Sequence, residues 1–406
     1  MTTNSDRPAV TELRLSAFKA HRGASFTFGP LTLLAGVSGT GKSSVLEALA
    51  ALGRLAGGEE LAEAFEESGT VRGGVAACVP HGAQPDAEGR RGFRVGCTVN
   101  GPVGPVRLDV AVQTEPELRI VGERLTGAGE TLLTTALRDP GRRQVQAAWH
   151  TAGLVPVTRA PLPDDRLATA MLPLRVAGRT DGQRLVLAAA EQVVVALRGV
   201  FPVDPRPHRM RGPVAVGDGM LRGGCDNLSA VLRRTEGECR IRHAALVRAA
   251  RAVCAPPVEG LTVIPVSGTG TRAGGEAVIA AVDRGPLGLV PVDRLGDGEL
   301  RFLALALVLL TGPGVLEVDT PEGEVPDADQ VLTVLADGLD HGLDRAQTRE
   351  LLALAGMAAD RGHIRLLGTV HDAAVADGIA GLSVVGFERA PLVPAQAAER
   401  VAAGMR

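Results

Sequence analysis

Tyrosine is absent from this 406-residue chain, tryptophan occurs once, and all aromatic residues together make up 2% of it. Stacking of bases on aromatic side chains is therefore disfavoured as a way of holding nucleic acid. Lysine is almost missing as well: of 43 basic residues only Lys19 and Lys42 are lysines, and the rest are arginines. No strong charge of either sign is present, because the formal net charge is -3. No whole-molecule field draws the protein to nucleic acid or an anionic membrane, so such a contact needs a local patch. The five cysteines (Cys78, Cys97, Cys225, Cys239, Cys254) are scattered without CxxC spacing, and only His243 lies close to one of them. That pattern indicates buried, reduced thiols rather than a zinc site or a disulfide framework. Long apolar runs are lacking too. The longest, Phe302 to Leu310, is about half of what a bilayer-spanning helix needs. Met1 to Val10 has no signal-peptide pattern, so the expectation is a cytoplasmic protein without membrane association.

What is present is an ordinary folded composition, 45% hydrophobic and 22% charged, long enough for two or three folding units or one large domain carrying an insertion. Val10 to Leu15 and Ala24 to Phe28 predict two short strands, and Leu31 to Ala35 a strand buried on both faces. After the glycine-rich segment that follows, Ser44, Val45, Leu46, Ala48, Leu49, Leu52 and Leu55 recur at helical spacing up to Gly57 and Gly58. From Arg91 to about Leu133 short alternating segments (Phe93 to Val99, Val106 to Val112, Leu118 to Val121) predict an antiparallel meander. Helical periodicity returns in Leu185 to Leu197 and Leu228 to Cys254, around a Pro- and Arg-rich loop, Pro202 to Pro213. Strand texture follows at Leu261 to Val266 and Ala277 to Val282, after which helix and strand alternate. The expected organisation is an N-terminal lobe over 1–150, a helical insertion over 151–260, a C-terminal lobe over 261–392 and a tail over 393–406.

Gly36-Val37-Ser38-Gly39-Thr40-Gly41-Lys42-Ser43 fits GxxxxGK[ST] at every fixed position, and Ser44 continues into the helix. Glycines let backbone N–H groups turn toward phosphate oxygens, and the next helix aims its N-terminus at the same anion. Lys42 would reach the β- and γ-phosphates, and the Ser43 hydroxyl would coordinate Mg²⁺. A guanidinium cannot replace the compact ammonium at that point, which gives the scarce lysine its meaning. This pattern predicts a P-loop nucleotide-binding protein.

Three later segments narrow the class. Leu295-Gly296-Asp297-Gly298-Glu299-Leu300-Arg301 heads an apolar helix, Gly314 to Asp319 reads as a strand ending in an acidic residue before Thr320, Pro321 and Glu322, and Ile364 to Asp372 reads as a strand with His371 just beyond its end. With the N-terminal segments Leu13 to Phe18 and Phe26 to Phe28 before the loop, and Asn227-Leu228 opening a helix before the final strands, the sequence resembles the ABC-type ATPase heads of the RecF, SMC and OLD group, especially compact AAA-family members without coiled-coil arms. The likeness covers about residues 10 to 55 and 290 to 375. It implies an α/β fold with a P-loop NTPase, ABC-ATPase-like core, an antiparallel side sheet and a helical insertion. It also implies ATP and Mg²⁺ as cofactors. Asp319 would hold Mg²⁺, the Gly296 to Glu299 turn (Gly296, Gly298, Glu299) would meet the γ-phosphate of ATP bound by a second subunit, and His371 would contact that phosphate. An ATP-dependent homodimer follows, with a place in DNA repair or defence and a possible effector protein.

Two departures bear on activity. Gly296 stands where the family usually has serine, and Thr320 where the glutamate that positions the attacking water is usual; Glu317 and Glu322 lie near but out of place. A threonine hydroxyl is not a competent base near neutral pH. Hydrolysis is accordingly expected to be slow, and a non-hydrolysing, nucleotide-gated regulatory or scaffold subunit is the alternative. Gln84 and Gln113 are candidates for the family's Q-loop glutamine. Arg206, Arg209 and Arg211, with Arg233, Arg234, Arg240, Arg242, Arg248 and Arg251, form a basic set that could track DNA phosphates. Gly298→Asp suggests itself as the substitution to block the contact across subunits.

Overall fold

A computed structural model describes residues 7–66, 71–152, 157–255, 257–266, 276–318 and 330–388. The hairpin of β1 (Ala9–Phe18) and β2 (His21–Thr27) leads to β3 (Leu31–Gly36), then to α1 (Lys42–Ala56) and the short α2 (Leu61–Ala64). Six strands follow: β4 (Arg91–Asn100), β5 (Val106–Glu115), β6 (Arg119–Gly127), β7 (Glu130–Ala136), β8 (Gln144–His150) and β9 (Val157–Pro163). Next come α3 (Ala168–Met171), α4 (Asp181–Arg198), β10 (Val200–Val203), α5 (Pro207–Met210), β11 (Val214–Ala215), α6 (Leu228–Glu238) and α7 (Arg240–Val253). The rest comprises β12 (Gly260–Val266), β13 (Ala277–Asp283), β14 (Leu289–Pro291), α8 (Asp297–Leu310), β15 (Leu332–Ala336), α9 (Arg345–Asp360), β16 (Ile364–Val370) and β17 (Leu382–Phe387).

These strands form an eight-stranded antiparallel sheet, β2-β1-β4-β5-β6-β7-β8-β9, and a five-stranded parallel sheet, β10-β15-β16-β3-β17. A small sheet joins β13 to β12, β11 and β14. The fold is therefore α/β with an antiparallel side sheet. The meander runs on to β9, beyond the stretch that turn signals marked, and one sheet carries it whole.

Side-chain alternation along the parallel strands divides the interior in two, since successive residues of a strand point to opposite faces. Leu34, Leu335 and Leu367 join α1, α4 and the inner face of the large sheet in one core. Their neighbours Leu33, Ala35, Val334, Ala336 and Leu366 join α6, α7, α8 and α9 in a second. Both faces of this sheet are covered, which is why β3 and β16 read as almost unbroken apolar runs while β8 alternates. The middle section is built into both layers: α4 packs across β4, β5, β7 and β8 and against α1, and β10 forms an edge of the parallel sheet. Within α4 the buried Gln192 ties the helix to the β4–β5 turn, donating to the carbonyls of Val99 (3.0 Å) and Gly104 (2.7 Å) and accepting from the Val103 N–H (2.8 Å).

Two expectations need correction. The helical stretch Leu228 to Cys254 is two helices, because Cys239 adopts φ -144°, ψ 80° and ends α6 while starting α7. More important, Gly314 to Val318 is not a strand of the parallel sheet. Pro313–Val315 is a 3₁₀ turn, and Leu316 makes only an isolated bridge to Leu221. In this sheet β16 lies between β15 and β3, so the place expected for that segment is taken by β15.

Candidate functional site

Strand β3 delivers Gly36 to the C-terminal edge of the parallel sheet, and the loop closes into α1 with backbone that only glycine accepts. At Gly36 a Cβ would stand 2.4 Å from the Phe387 carbonyl of β17. At Gly41, φ is 93° and a Cβ would stand 2.6 Å from His21 Nε2, which itself lies 3.0 Å from the Gly41 carbonyl. The loop is thus backed by His21, Phe26 and Phe387, whose rings contact one another, the two phenylalanines stacked at 5.4 Å. Helix α1 has no side-chain cap and no acidic residue in its first turn, so its N-terminal N–H groups and partial positive charge are directed at the loop without a competing carboxylate.

Lys42 is nearly buried and folds over the loop, donating to the carbonyls of Gly36 (2.5 Å) and Val37 (2.9 Å). The Ser43 hydroxyl donates to Asp337 Oδ1 (2.9 Å), and the Thr369 hydroxyl at the end of β16 donates to the same oxygen (2.7 Å). Arg72 donates to Asp337 Oδ2 (2.7 Å) and to Glu47 (2.8 Å), and Lys19 bonds Glu47 at 2.5 Å. Burial alone would lower the pKa of Arg72, but the carboxylates of Glu47 and Asp337 hold its guanidinium above the ordinary range.

These groups line a cavity of ≈ 790 Å³, within the roughly 300–1,000 Å³ span of small-molecule sites. Ser38, Gly39, Thr40, Gly41, Lys42, Ser43 and Ser44 form one wall, while Asp337, Thr369 and His371 stand at the ends of the neighbouring strands. Ser43 and Asp337 present two hard oxygen donors side by side. That fits Mg²⁺, which takes few protein ligands and completes its shell with phosphate and water. Among the described residues no cluster of three or more His, Cys, Asp or Glu is arranged to hold a metal alone.

Asp319, Thr320 and Glu322 lie outside the described residues. The strand-end carboxylate that meets Ser43 is Asp337, which sequence reasoning missed. Its signal was available: Leu332 to Ala336 is a wholly buried strand-type run closed by Asp-Gly. The residue after that aspartate is Gly338, which carries no carboxylate.

Helix α8 begins as expected, with Gly296 at its N-cap and Gly296 and Asp297 exposed. Gly296, Gly298 and Glu299 do not line the cavity of their own chain. The Glu299 carboxylate turns inward to the buried Arg284 and is not free for a phosphate. A Cβ at Gly298 would lie 2.2 Å from the Gly342 carbonyl, so Gly298→Asp would disturb packing as well as any contact across subunits. Arg301, one turn further on, donates to Asp204 (3.2 Å) and to the carbonyls of Pro205 (2.7 Å) and Gly338 (3.3 Å).

His371 does line the cavity, with Asp340 behind it. Neither glutamine candidate does: Gln84 is exposed, and Gln113 is buried in the large sheet, donating to the Glu117 carbonyl. The arginine set is dispersed. Arg206 lines the cavity, Arg211 pairs with Asp297, Arg234 with Glu238 and Arg251 with Glu259, and Arg242 donates to the Leu310 carbonyl. No described helix is long and apolar enough to cross a membrane.

A glycine-rich loop between an interior parallel strand and a helix, with Lys-Ser facing a strand-end aspartate, defines the P-loop class of α/β fold. No protein-family model matches the chain, and no curated protein matches its sequence. Among solved structures it is similar to the Smc head domain of Pyrococcus furiosus with an extended coiled coil bound to the C-terminal domain of ScpA (10% identity, TM-score 0.48, 98% of this chain and 100% of that one). It is also similar to an SMC head bound to the C-terminal winged-helix domain of ScpA (13%, TM-score 0.47, 94% of each chain). A further likeness is to the recombination mediator protein RecF-ATPrS of the RecFOR pathway (11%, TM-score 0.40, 95% of this chain and 98% of that one).

Proposed function

We propose that the protein binds ATP with Mg²⁺ and hydrolyses it slowly, and that two copies associate on binding. The observation that carries this is the convergence of Lys42, Ser43 and Asp337 on one cavity floored by the N-terminus of α1. Lys42 and the loop amides bind the β- and γ-phosphates, while Ser43 and Asp337 hold the ion, which when bound neutralises charge on the transferring phosphoryl group. The exposed N-terminus of α8, whose Gly296, Gly298 and Glu299 do not line the cavity of their own chain, serves a second copy's triphosphate as a helix-end anion site.

Association would be passed on to an effector protein or to DNA. A nucleic-acid contact would rest on Arg209, Arg240 and Arg248, exposed residues whose side chains have no ion pair among the described residues. The second reading, a nucleotide-gated subunit that does not hydrolyse, is favoured by one observation, the lack of a carboxylate at Gly338. Molecular mass measured with and without ATP·Mg²⁺, alongside calorimetric ATP binding and phosphate release, tests these statements together. A mass doubled by ATP supports the dimer, and absence of ATP binding defeats the proposal.

A further inference from the structure

Among the described residues, the carboxylates lining the cavity are already committed. Glu47 holds Lys19 and Arg72, Asp204 holds Arg301, and Asp337 accepts from Ser43, Thr369 and Arg72. Gly338 follows Asp337 with no side chain, and its N–H donates to Thr369 Oγ (2.7 Å). The other groups on the described wall able to accept a water proton are its histidines.

Of the cavity histidines His81, His208, His341 and His371, the last is the one with a carboxylate set behind it among the described residues. Asp340 Oδ2 accepts from the His371 backbone N–H (2.8 Å), and Oδ1 stands 3.3 Å from His371 Nδ1. The turn carrying Asp340 is fastened to the end of β16 by the Leu339 N–H donating to the Thr369 carbonyl (2.8 Å). Asp340 is 14% exposed in its side chain and His371 60%, so the acid sits in the protein and the ring faces the open site. Two carboxylates three positions apart thus have separate tasks: Asp337 faces Ser43, and Asp340 faces the imidazole.

We propose that His371 is the general base of hydrolysis and Asp340 its positioning residue, replacing the carboxylate missing after the strand. The inference rests on the ATP-hydrolysing reading above. Asp340 accepts the Nδ1 proton and so leaves the lone pair on Nε2 facing the site, the orienting logic of acid–histidine pairs in general. Water oxygen bonds to the γ-phosphorus as the bond from that phosphorus to the β–γ bridging oxygen breaks. The bridging oxygen keeps the electron pair and leaves on ADP, and the water proton moves to Nε2, from which solvent removes it. Asp340 stabilises the imidazolium in between.

The test measures MgATP affinity, melting temperature and phosphate release for the full chain and for Asp340→Asn, Asp340→Ala, His371→Ala and the double Asp340→Ala/His371→Ala variant. Removal of a general base costs about 10²–10⁴ in rate, so His371→Ala should slow kcat by about 100-fold. Asp340→Ala should slow it about tenfold with KM within about twofold, and the double variant should be no slower than His371→Ala, since residues acting as a unit are not additive. Asp340→Asn, which keeps the shape and an acceptor for the His371 N–H, should be slow as well, because its amide favours the wrong tautomer. Unchanged kcat in Asp340→Asn, or a double variant slowed by the product of the two single effects, overturns the proposal. So does a wild type that binds ATP without hydrolysing it, whereas a wild type that does not bind ATP overturns the functional reading itself.

Discussion

Ser43 Oγ and Asp337 Oδ1 meet at 2.9 Å although 294 residues separate them in the chain. Their contact joins the start of α1 to the end of β15, and it fixes where an ion shared with a triphosphate would sit. Substitution should separate the parts. On the proposed function, Lys42→Ala would remove charge-assisted bonds to phosphate, about 1.5–3 kcal/mol, and should weaken ATP binding roughly 10- to 100-fold by calorimetry. Asp337→Asn should leave binding of nucleotide without Mg²⁺ nearly unchanged and remove the gain that Mg²⁺ gives. Equal loss with and without the ion would place the metal elsewhere.

The association model has a cleaner probe than position 298. Gly296 has nothing within 4 Å of an added Cβ, and its φ of -67° suits any residue. Gly296→Glu places a negative charge at the exposed helix end without a clash. It should abolish the ATP-dependent increase in mass while leaving ATP affinity within about twofold. A variant that still associates would remove α8 from the contact.

Acid should loosen the β2-β1-β4 edge of the large sheet, where Glu12 accepts from Ser25 and Thr98. Hydrogen bonds from Ser25 and Thr98, and then the Arg14 charge, hold the Glu12 pKa at about 2 against an ordinary 4.5. A lowered folded-state pKa means stability present above pH 4.5 and lost as pH falls toward 2. Because this carboxylate is one-third exposed in its side chain, screening reduces the contribution to about 1 kcal/mol. Glu12→Gln should lower the melting temperature at pH 7, and the difference from wild type should shrink by pH 2.5. A constant difference across that range would count against the carboxylate's charge.

Thiol reactivity should single out Cys239. Burial pushes the thiols of Cys78, Cys97 and Cys254 up to about 12 and raises that of Cys225 further in the same direction. Cys239 alone is partly exposed among five free cysteines. Alkylation at pH 8 should label Cys239 in the native protein and all five after denaturation. Mass spectrometry of the peptides would show native labelling of Cys97 or Cys225 if the two cores were not packed as described.

The phosphate loop was legible because its chemistry fixes residue types at fixed spacing, and α8 and β16 because buried apolar runs have few other uses. Asp337 was not. Gly314 to Asp319 offers the same local signal as Leu332 to Asp337, an apolar run closed by aspartate. What separates them is which run lies beside Ile364–Val370, a pairing between distant segments that periodicity does not encode. The break at Cys239 escaped for a related reason: apolar spacing continued through it while the backbone turned away. Glu299 looked available for phosphate because its buried partner, Arg284, lies on the far side of a loop and a strand.

The interior position of β3 between two late strands has a consequence for the order in which this protein is made. Its two hydrogen-bonded neighbours, β16 and β17, are the last strands described, and the Phe387 carbonyl closes against Gly36. A nascent chain carries the whole GxxxxGKS segment out of the ribosome long before either flank exists. Nucleotide cannot assist the early steps of synthesis, and a chain interrupted before Leu382 would leave its phosphate loop without a rear wall.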